Sequence, residues 1–409
     1  MIVLVLNVGS STIKSHLYRF DGKTMVDGPT APHWEGHVDW TVSSDHGVLS
    51  ARTGDDTFES HLPLETRAKD GGVGALLQTL TDGPTRVLDE LDELDVVGHR
   101  VVHGGPDLTD PVLVTPDVKK VIADLIPLAP GHNPHELAGI EAIESALGEV
   151  PQVAVFDTAF HRAMPQEAER YPMPERWYAS GIRRYGFHGI SHRYCAERAA
   201  ELMGRPLPSL RLITCHLGNG SSLAAVDGGR SVDTTMGFTP LEGLMMGSRS
   251  GSIDPGVVLH LMRHEGLDPD EVDDLLNRCS GLLGVSGISS DLRTVEAASL
   301  EGDPRADLAI TMLVHRLRAG IGAMLASLGG LDALVFTGGI GEHSVRIREE
   351  ACGAFAFLGL RLDSERNRTT GSDRSVAASD STVEVLVIRT QEEWAIALEC
   401  RNILAHDNN

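Results

Sequence analysis

Basic charge is scarce in this chain of 409 residues: 35 lysines and arginines stand against 58 aspartates and glutamates, a formal net charge of −23. A surface of that sign repels nucleic acid and acidic membrane, which excludes both as general partners. Any anion site must therefore be built locally from particular arginines and lysines. No Cys-x-x-Cys pair occurs, and Cys195, Cys215, Cys279, Cys352 and Cys400 are widely scattered. That pattern argues for reduced thiols in a cytoplasmic protein rather than for a disulfide frame, a metal site or a redox pair. No apolar run is expected to reach the ~20 residues of a membrane span. The apolar start at 2–6 stops at Asn7 without a basic leader, so it reads as a buried strand and not a signal peptide. The P-loop pattern G-x-x-x-x-G-K-[ST] is absent, and Gly339-Ile340-Gly341 lacks the third glycine of the dinucleotide fingerprint. His188 and His192, like His260 and His264, stand four apart, but Gly189 and Leu261 follow the first of each pair, which excludes the H-E-x-x-H zinc pattern.

What the chain does have is a pair of glycine–serine loops, each directly after an apolar run. The first follows Leu4-Val5-Leu6 as Asn7-Val8-Gly9-Ser10-Ser11, and the second follows Leu212-Ile213-Thr214-Cys215 as His216-Leu217-Gly218-Asn219-Gly220-Ser221-Ser222. Each leads into a short apolar stretch and then a hairpin signal, Asp21-Gly22 or Asp227-Gly228. Glycines let a backbone approach an anion closely, and successive N–H groups with serine hydroxyls supply donors to phosphate oxygens. The repeat predicts two related halves that together hold a nucleotide. A length of 409 residues also suits two domains. We divide the chain into 1–157, with a C-terminal helical stretch at 389–409 returning to it, and 158–388.

Strands are expected at 96–102, 153–156, 333–336 and 384–388, and helices at 116–125, 135–147, 305–328, 345–352 and 392–404. A long irregular segment spans 233–255, and a glycine loop spans 337–344, where N–H groups before a helix suit a phosphate or ribose. This alternation predicts an α/β layer architecture. Arg100 lies on an otherwise apolar strand, where a guanidinium is costly without an anionic partner. A buried acid or an anionic ligand would each meet that need, and Gly104-Gly105 just beyond favours the ligand. Arg249, on the small-residue loop Gly247-Ser248-Arg249-Ser250-Gly251, is accessible but says little alone.

The segments NVGSSTIK (7–14), GHRVVHGG (98–105), HNP (132–134), VFDTAFH (155–161), RRYGFHGISH (183–192), HLGNGSS (216–222), MGFTPLEGLMMGSRSGSIDP (236–255), SSDLR (289–293) and TGGIGE (337–342) form an ordered set that resembles the acetate kinase family. The resemblance implies two actin-like, ribonuclease H-like domains with a nucleotide cleft between them. It implies reversible transfer of the γ-phosphoryl group of ATP to acetate, giving acetyl phosphate and ADP. Asn7 and Glu392 would hold Mg²⁺, for which Mn²⁺ can stand in. Lys14 would help hold the phosphates. The HLGNG segment, His216, Leu217, Gly218, Asn219 and Gly220, would wrap them. Asp291, Leu292 and Arg293, with Gly339, Ile340, Gly341, Glu342 and His343, would form the nucleoside pocket. Arg100 and Arg249 would clamp the carboxylate and the transferring group, and His188 would stabilise its equatorial oxygens. Val102, Phe187 and Pro240 would line the methyl pocket.

Asp157 falls at the family's catalytic acid/base position. A carboxylate acceptor is already ionised at neutral pH, since its pKa is about 4 to 5, so it needs no base. On that ground Asp157 is expected to orient an arginine or a metal-bound water. Direct in-line transfer is expected in preference to a phosphoenzyme, and the same resemblance implies a homodimer joined through the second domain. Three departures stand out. Gly131 replaces the family's leucine in the methyl pocket, which makes room for propionate. His343 and Gln391 each replace an asparagine. A sugar or polyol kinase would need a base, and a nucleotide-gated binding protein of the actin or Hsp70 kind would show no transfer at all.

Overall fold

The computed structural model describes residues 1–20, 29–68 and 71–407, so the Asp21-Gly22 hairpin signal lies outside the described residues. The chain divides into two compact units, Met1–Ala159 with Gln391–Asn409, and Phe160–Thr390.

The first unit is built on an eight-stranded sheet, with strands β1 (Ile2–Val8), β2 (Thr12–Arg19), β3 (Trp34–Asp39), β4 (His46–Thr53), β5 (Asp56–Pro63), β6 (Val96–Val101), β7 (Val112–Leu113) and β8 (Gln152–Phe156). Their order across the sheet is β5-β4-β3-β2-β1-β6-β8-β7. β1 runs antiparallel to β2 but parallel to β6. A strand covered on both faces reads as an unbroken apolar run, and Val3, Leu4, Val5 and Leu6 are all buried. The helix Asn133–Leu147 and the C-terminal helix Glu392–Asp407 both pack on β1 and β6. Gly98 permits the latter contact: a Cβ there would come within 2.6 Å of Cys400 Sγ and 2.7 Å of Ile396.

The second unit repeats the plan with β9 (Arg211–Leu217), β10 (Ser221–Asp227), β11 (Arg230–Thr234), β12 (Ala333–Thr337), β13 (Arg374–Ser375) and β14 (Glu384–Val387). Their order is β11-β10-β9-β12-β14-β13. β3-β2-β1-β6-β8 and β11-β10-β9-β12-β14 therefore share one order, three antiparallel strands followed by two parallel ones. The duplicated loops of the sequence sit at the same turn of each, between the first and second strands. This is a mixed α/β protein of two actin-like units.

Two expectations need correction. The segment 337–344 is not a loop throughout, because Gly338–His343 forms a short helix that meets a second helix, Val345–Gly353. Gly338 turns the chain at φ 75°, and buried Arg348 holds the helix end, its Nη1 donating to the carbonyls of Gly341 (2.8 Å) and Glu342 (2.9 Å). The second concerns apolar length: the helix Pro304–Leu328 is long and apolar enough to cross a membrane by composition. Its buried residues Ala306, Ala309, Ile310, Leu313, Val314, Leu317, Ile321, Met324 and Leu328 recur at helical spacing and form one side of the second unit's core. It is a core helix, capped by Asp303 and stopped at Gly329.

Candidate active site

In the first unit the chemistry gathers at the ends of β1, β6 and β8. Arg100 projects from β6, and Asp157 immediately follows β8. The Asp157 carboxylate, almost wholly buried, accepts from Arg100 Nε at 3.3 Å and from Nη2. Arg100 Nη1 also lies 3.5 Å from Asn7 Oδ1. Burial works to lower the Arg100 pKa, but Asp157, Glu392 and Glu136 overcome it and hold the guanidinium firmly charged. The buried-acid alternative for Arg100 is thus realised.

Glu392 stands in the first turn of the C-terminal helix. Its Oε1 is inaccessible and has no hydrogen-bond partner among the described residues. Burial raises its pKa, while Arg100 opposes that shift. A buried carboxylate oxygen without a donor is costly, and a cation would satisfy it. Lys14 is on β2, opposite Asn7 of β1 and exposed.

Val102, just past β6, is buried, and its N–H donates to Glu136 at 2.9 Å. Burial pushes the Glu136 carboxyl up to about 8, against the pull of the Val102 hydrogen bond and Arg100. Buried Asn133 joins the two segments: its Nδ2 donates to the carbonyl of His103 at 3.2 Å, and its Oδ1 accepts from His103 N at 3.3 Å. Gly131 beside it is exposed, and a Cβ there would meet nothing within 4 Å.

In the second unit His188 and Arg249 converge on the glycine loop. A Cβ built on Gly220 would lie 3.4 Å from His188 Nε2 and 3.5 Å from Arg249 Nη1. His188 is the one non-glycine residue with positive φ among the described residues (φ 56°). A histidine there costs on the order of 1–2 kcal/mol, a strain of the kind found at functional sites. Its ring stacks on His216 with centroids 4.2 Å apart. Arg249 is half-buried, and burial lowers its pKa. Its Nη1 has only the Pro240 carbonyl at 3.5 Å and the Met246 sulfur at 3.9 Å, and among the described residues no carboxylate pairs with it. Phe187 is buried, and its carbonyl accepts from His161 Nε2 at 3.0 Å.

The irregular segment that carries Pro240 and Arg249 runs over 235–254. Arg184 fixes its start by donating to the carbonyls of Thr235 (3.2 Å) and Met236 (3.1 Å) and pairing with Glu242 at 2.7 Å. Further on, Gly247 N donates to Asn219 O at 3.1 Å. A Cβ at Gly247 would fall 2.1 Å from Asn219 Oδ1 and 2.9 Å from the Ser290 carbonyl oxygen, so a larger residue would displace the Asn219 side chain and crowd the backbone at Ser290.

A pocket of about 590 Å³ opens beside these loops, wholly within the second unit. Gly218, Asn219, Asp291, Leu292, Arg293, Gly339, Ile340 and His343 line it. His216, Leu217 and Gly220 belong to the adjoining strand and loop, outside the lining. Gly341 is buried and outside the lining, and Glu342 Oε1 is taken by the N–H groups of Gly338 (3.1 Å) and Thr390 (2.9 Å). Asp291 caps the helix Leu292–Leu300, and Arg293, beside it, lowers its pKa. Ser290, Glu296 and Ser344 also line the pocket, and the sequence reading missed them. Their signal was available in part: Ser344 caps the next helix, and its hydroxyl donates to Glu296 at 2.9 Å.

Residues 2–398 match the Acetokinase family. The chain is 57% identical over 400 residues to an acetate kinase of Gloeothece citriformis, covering 98% of each. It is 55% identical over 408 residues to an acetate kinase of Nostoc punctiforme, covering 99% of this chain and all of the relative. Among solved structures, Porphyromonas gingivalis acetate kinase aligns at TM-score 0.88 with 42% identity, covering 98% of this chain and 99% of the other. A propionate kinase from Francisella tularensis aligns at 0.84 with 35% identity, covering 97% and 98%.

Proposed function

The chain belongs to the acetokinase family, and from that premise we propose how its own residues carry out the transfer of a phosphoryl group from ATP to acetate. The protein is a phosphotransferase with a carboxyl group as acceptor. Its acceptor is ionised at neutral pH, so the work left to the protein is alignment and stabilisation of charge in a loose transition state.

The observation that carries the residue assignment is Arg249, with no carboxylate partner among the described residues, beside His188 Nε2 at Gly220. A guanidinium without a carboxylate partner among the described residues and a histidine ring nitrogen, meeting at one spot of a glycine loop, suit a dianionic phosphoryl group. We assign Arg249 and His188 to its equatorial oxygens, and Asn219 with Gly218 and Gly220 to the phosphates. Asp291, Leu292, Arg293, Gly339, Ile340 and His343 take the nucleoside in the 590 Å³ pocket. In the first unit Arg100 receives the acceptor carboxylate, and Asp157 holds Arg100 in place and takes no proton. Val102, Phe187 and Pro240 are assigned to the acceptor's methyl group.

Glu392 and Asn7 fit Mg²⁺: the former offers an orphaned buried carboxylate oxygen, the latter an amide oxygen beside Arg100. One carboxylate and one amide are few ligands, as expected of an ion that keeps waters and leans on substrate phosphates. When bound, Mg²⁺ supplies positive charge to the β- and γ-phosphates. A homodimer is the proposed assembly. Val257, Leu259, Leu308 and Met312 give the second unit exposed apolar surface for that contact.

Propionate is the second acceptor to consider, because a propionate kinase is among the similar structures and exposed Gly131 stands where the resemblance puts a leucine of the methyl pocket. The decisive assay is ATP-dependent acyl phosphate formation, trapped with hydroxylamine as hydroxamate. ADP release should depend strictly on acetate or propionate. Steady ATP hydrolysis with no trapped product overturns the reading.

A further inference from the structure

Behind His188 lies a chain of buried polar groups to which the proposed function gives no role. His188 Nδ1 is 2.9 Å from Ser222 Oγ. The same Ser222 oxygen is 2.7 Å from His192 Nε2. His192 Nδ1 is 2.7 Å from Thr214 Oγ1. Ser222, His192 and Thr214 are fully buried. His188 caps the helix Gly189–Met203, which places His192 one turn further on. Ser222 stands on β10 and Thr214 on β9, facing that helix.

The direction of this chain is set at its far end. Among the described residues, His192 Nδ1 is the partner shown for Thr214 Oγ1. The Thr214 hydrogen must go there, since otherwise a buried donor would be left unmade at a cost of about 1–3 kcal/mol. His192 then accepts on Nδ1. Burial, with His161 and His216 nearby, holds its pKa well below the ordinary histidine value, so the ring is neutral and its one proton sits on Nε2. Nε2–H donates to Ser222 Oγ, which leaves the Ser222 hydrogen for His188 Nδ1. A neutral His188 that accepts on Nδ1 carries its own proton on Nε2, the nitrogen that faces Gly220.

We propose that Thr214, His192 and Ser222 form a one-way hydrogen-bond chain that fixes His188 as the Nε2–H tautomer, making all three positioning residues for phosphoryl transfer. The inference rests on the assignment of His188 to the transferring group. With the opposite tautomer, Nε2 would turn a lone pair toward phosphoryl oxygens and repel them. With this one, His188 donates a hydrogen bond without first having to become an imidazolium.

The test combines kinetics with imidazole ¹⁵N spectra of the whole enzyme. In the native protein His188, identified by the signal lost in His188→Ala, should show a protonated Nε2 and an unprotonated Nδ1. The reverse pattern overturns the proposal whatever the variants do. Ser222→Ala should lower kcat about 10–100-fold, the scale on which removing an orienting partner acts, with KM for ATP and acetate little changed. In a His188→Ala background the same substitution should cost nothing more. Thr214→Val should lower kcat and Thr214→Ser should restore it, which keeps the test alive if Ser222→Ala fails to fold. Unchanged kcat in folded Ser222→Ala and Thr214→Val, or full additivity with His188→Ala, sinks the chain. Should His188→Ala leave kcat intact, the assignment of His188 fails instead, and the spectra still judge the tautomer.

Discussion

Asp157 grips Arg100 side-on, one carboxylate oxygen on Nε and the other on Nη2, and the acid is almost wholly buried. A bidentate pair fixes the plane of the guanidinium and leaves Nη1 as its outer nitrogen. Asp157→Asn should therefore act through Arg100. Breaking a buried pair by removing one partner costs about 3–5 kcal/mol, so the melting temperature should drop. kcat should fall as well, but the pH–rate profile should keep its shape at the lower level. Loss of one limb of that profile would make Asp157 a proton carrier instead.

Arg249 is the opposite case, a half-buried guanidinium with no carboxylate partner among the described residues. Its desolvation is uncompensated in the protein alone. Arg249→Met should leave stability unchanged or raised while lowering kcat by ~10³–10⁵, the range of a lost arginine finger. Calorimetry and steady-state rates on the same preparation would check both halves. A large loss of stability would mark Arg249 as a structural residue.

Much of this arrangement is legible in sequence because it is local. The apolar run at 2–6 reads as a buried strand, and the two glycine–serine loops announce two related halves. Their exact surroundings are not local. Arg184 and Glu242, 58 positions apart, fix the start of the segment 235–254, and nothing near either residue says so. The i,i+4 spacing of His188 and His192 lacks the glutamate of the zinc pattern, and its use becomes visible only when Ser222, 30 residues beyond His192, comes between them. Glu342 belongs to a motif that resembles a nucleotide loop, whereas in the fold its carboxylate holds two backbone N–H groups. Motif membership gives the neighbourhood, and hydrogen bonding decides which side chains are left to act.

Gly131 offers a direct test of acceptor size. Its backbone is unstrained for any residue and a Cβ there would meet nothing, so Gly131→Leu should fold normally. If the site borders the acceptor's tail, leucine should lower kcat/KM for propionate and butyrate relative to acetate by roughly 10–200-fold, the worth of about 1–3 kcal/mol per methylene. The measurement is kcat/KM across formate, acetate, propionate and butyrate. An unchanged order would remove Gly131 from the specificity argument.

Stability should be limited on both sides of neutral pH by different buried groups. Burial pulls His99, His103 and His161 down to about 4, and His192 is lowered too. For a depressed histidine the stabilisation is full above the unfolded pKa, about 6.5, and drains away as pH falls through the folded value. Each group contributes a slope of at most about 1.4 kcal/mol per pH unit, so several acting together should lower the melting temperature steeply between pH 6.5 and 4. Glu136 acts in the other direction. Burial raises its carboxyl to about 8 from an ordinary 4.5, so its contribution is full below 4.5 and is lost as pH rises toward 8. Glu136→Gln keeps an oxygen for the Val102 N–H but removes the titration. Calorimetry from pH 4 to 9, a range of about five units spanning both transitions, should show the variant gaining on the native enzyme toward pH 8 with its acid-side decline unaltered. Parallel curves for the two proteins across that whole range would mean that Glu136 is ionised at no cost, and that Arg100 and the Val102 amide fully offset its burial.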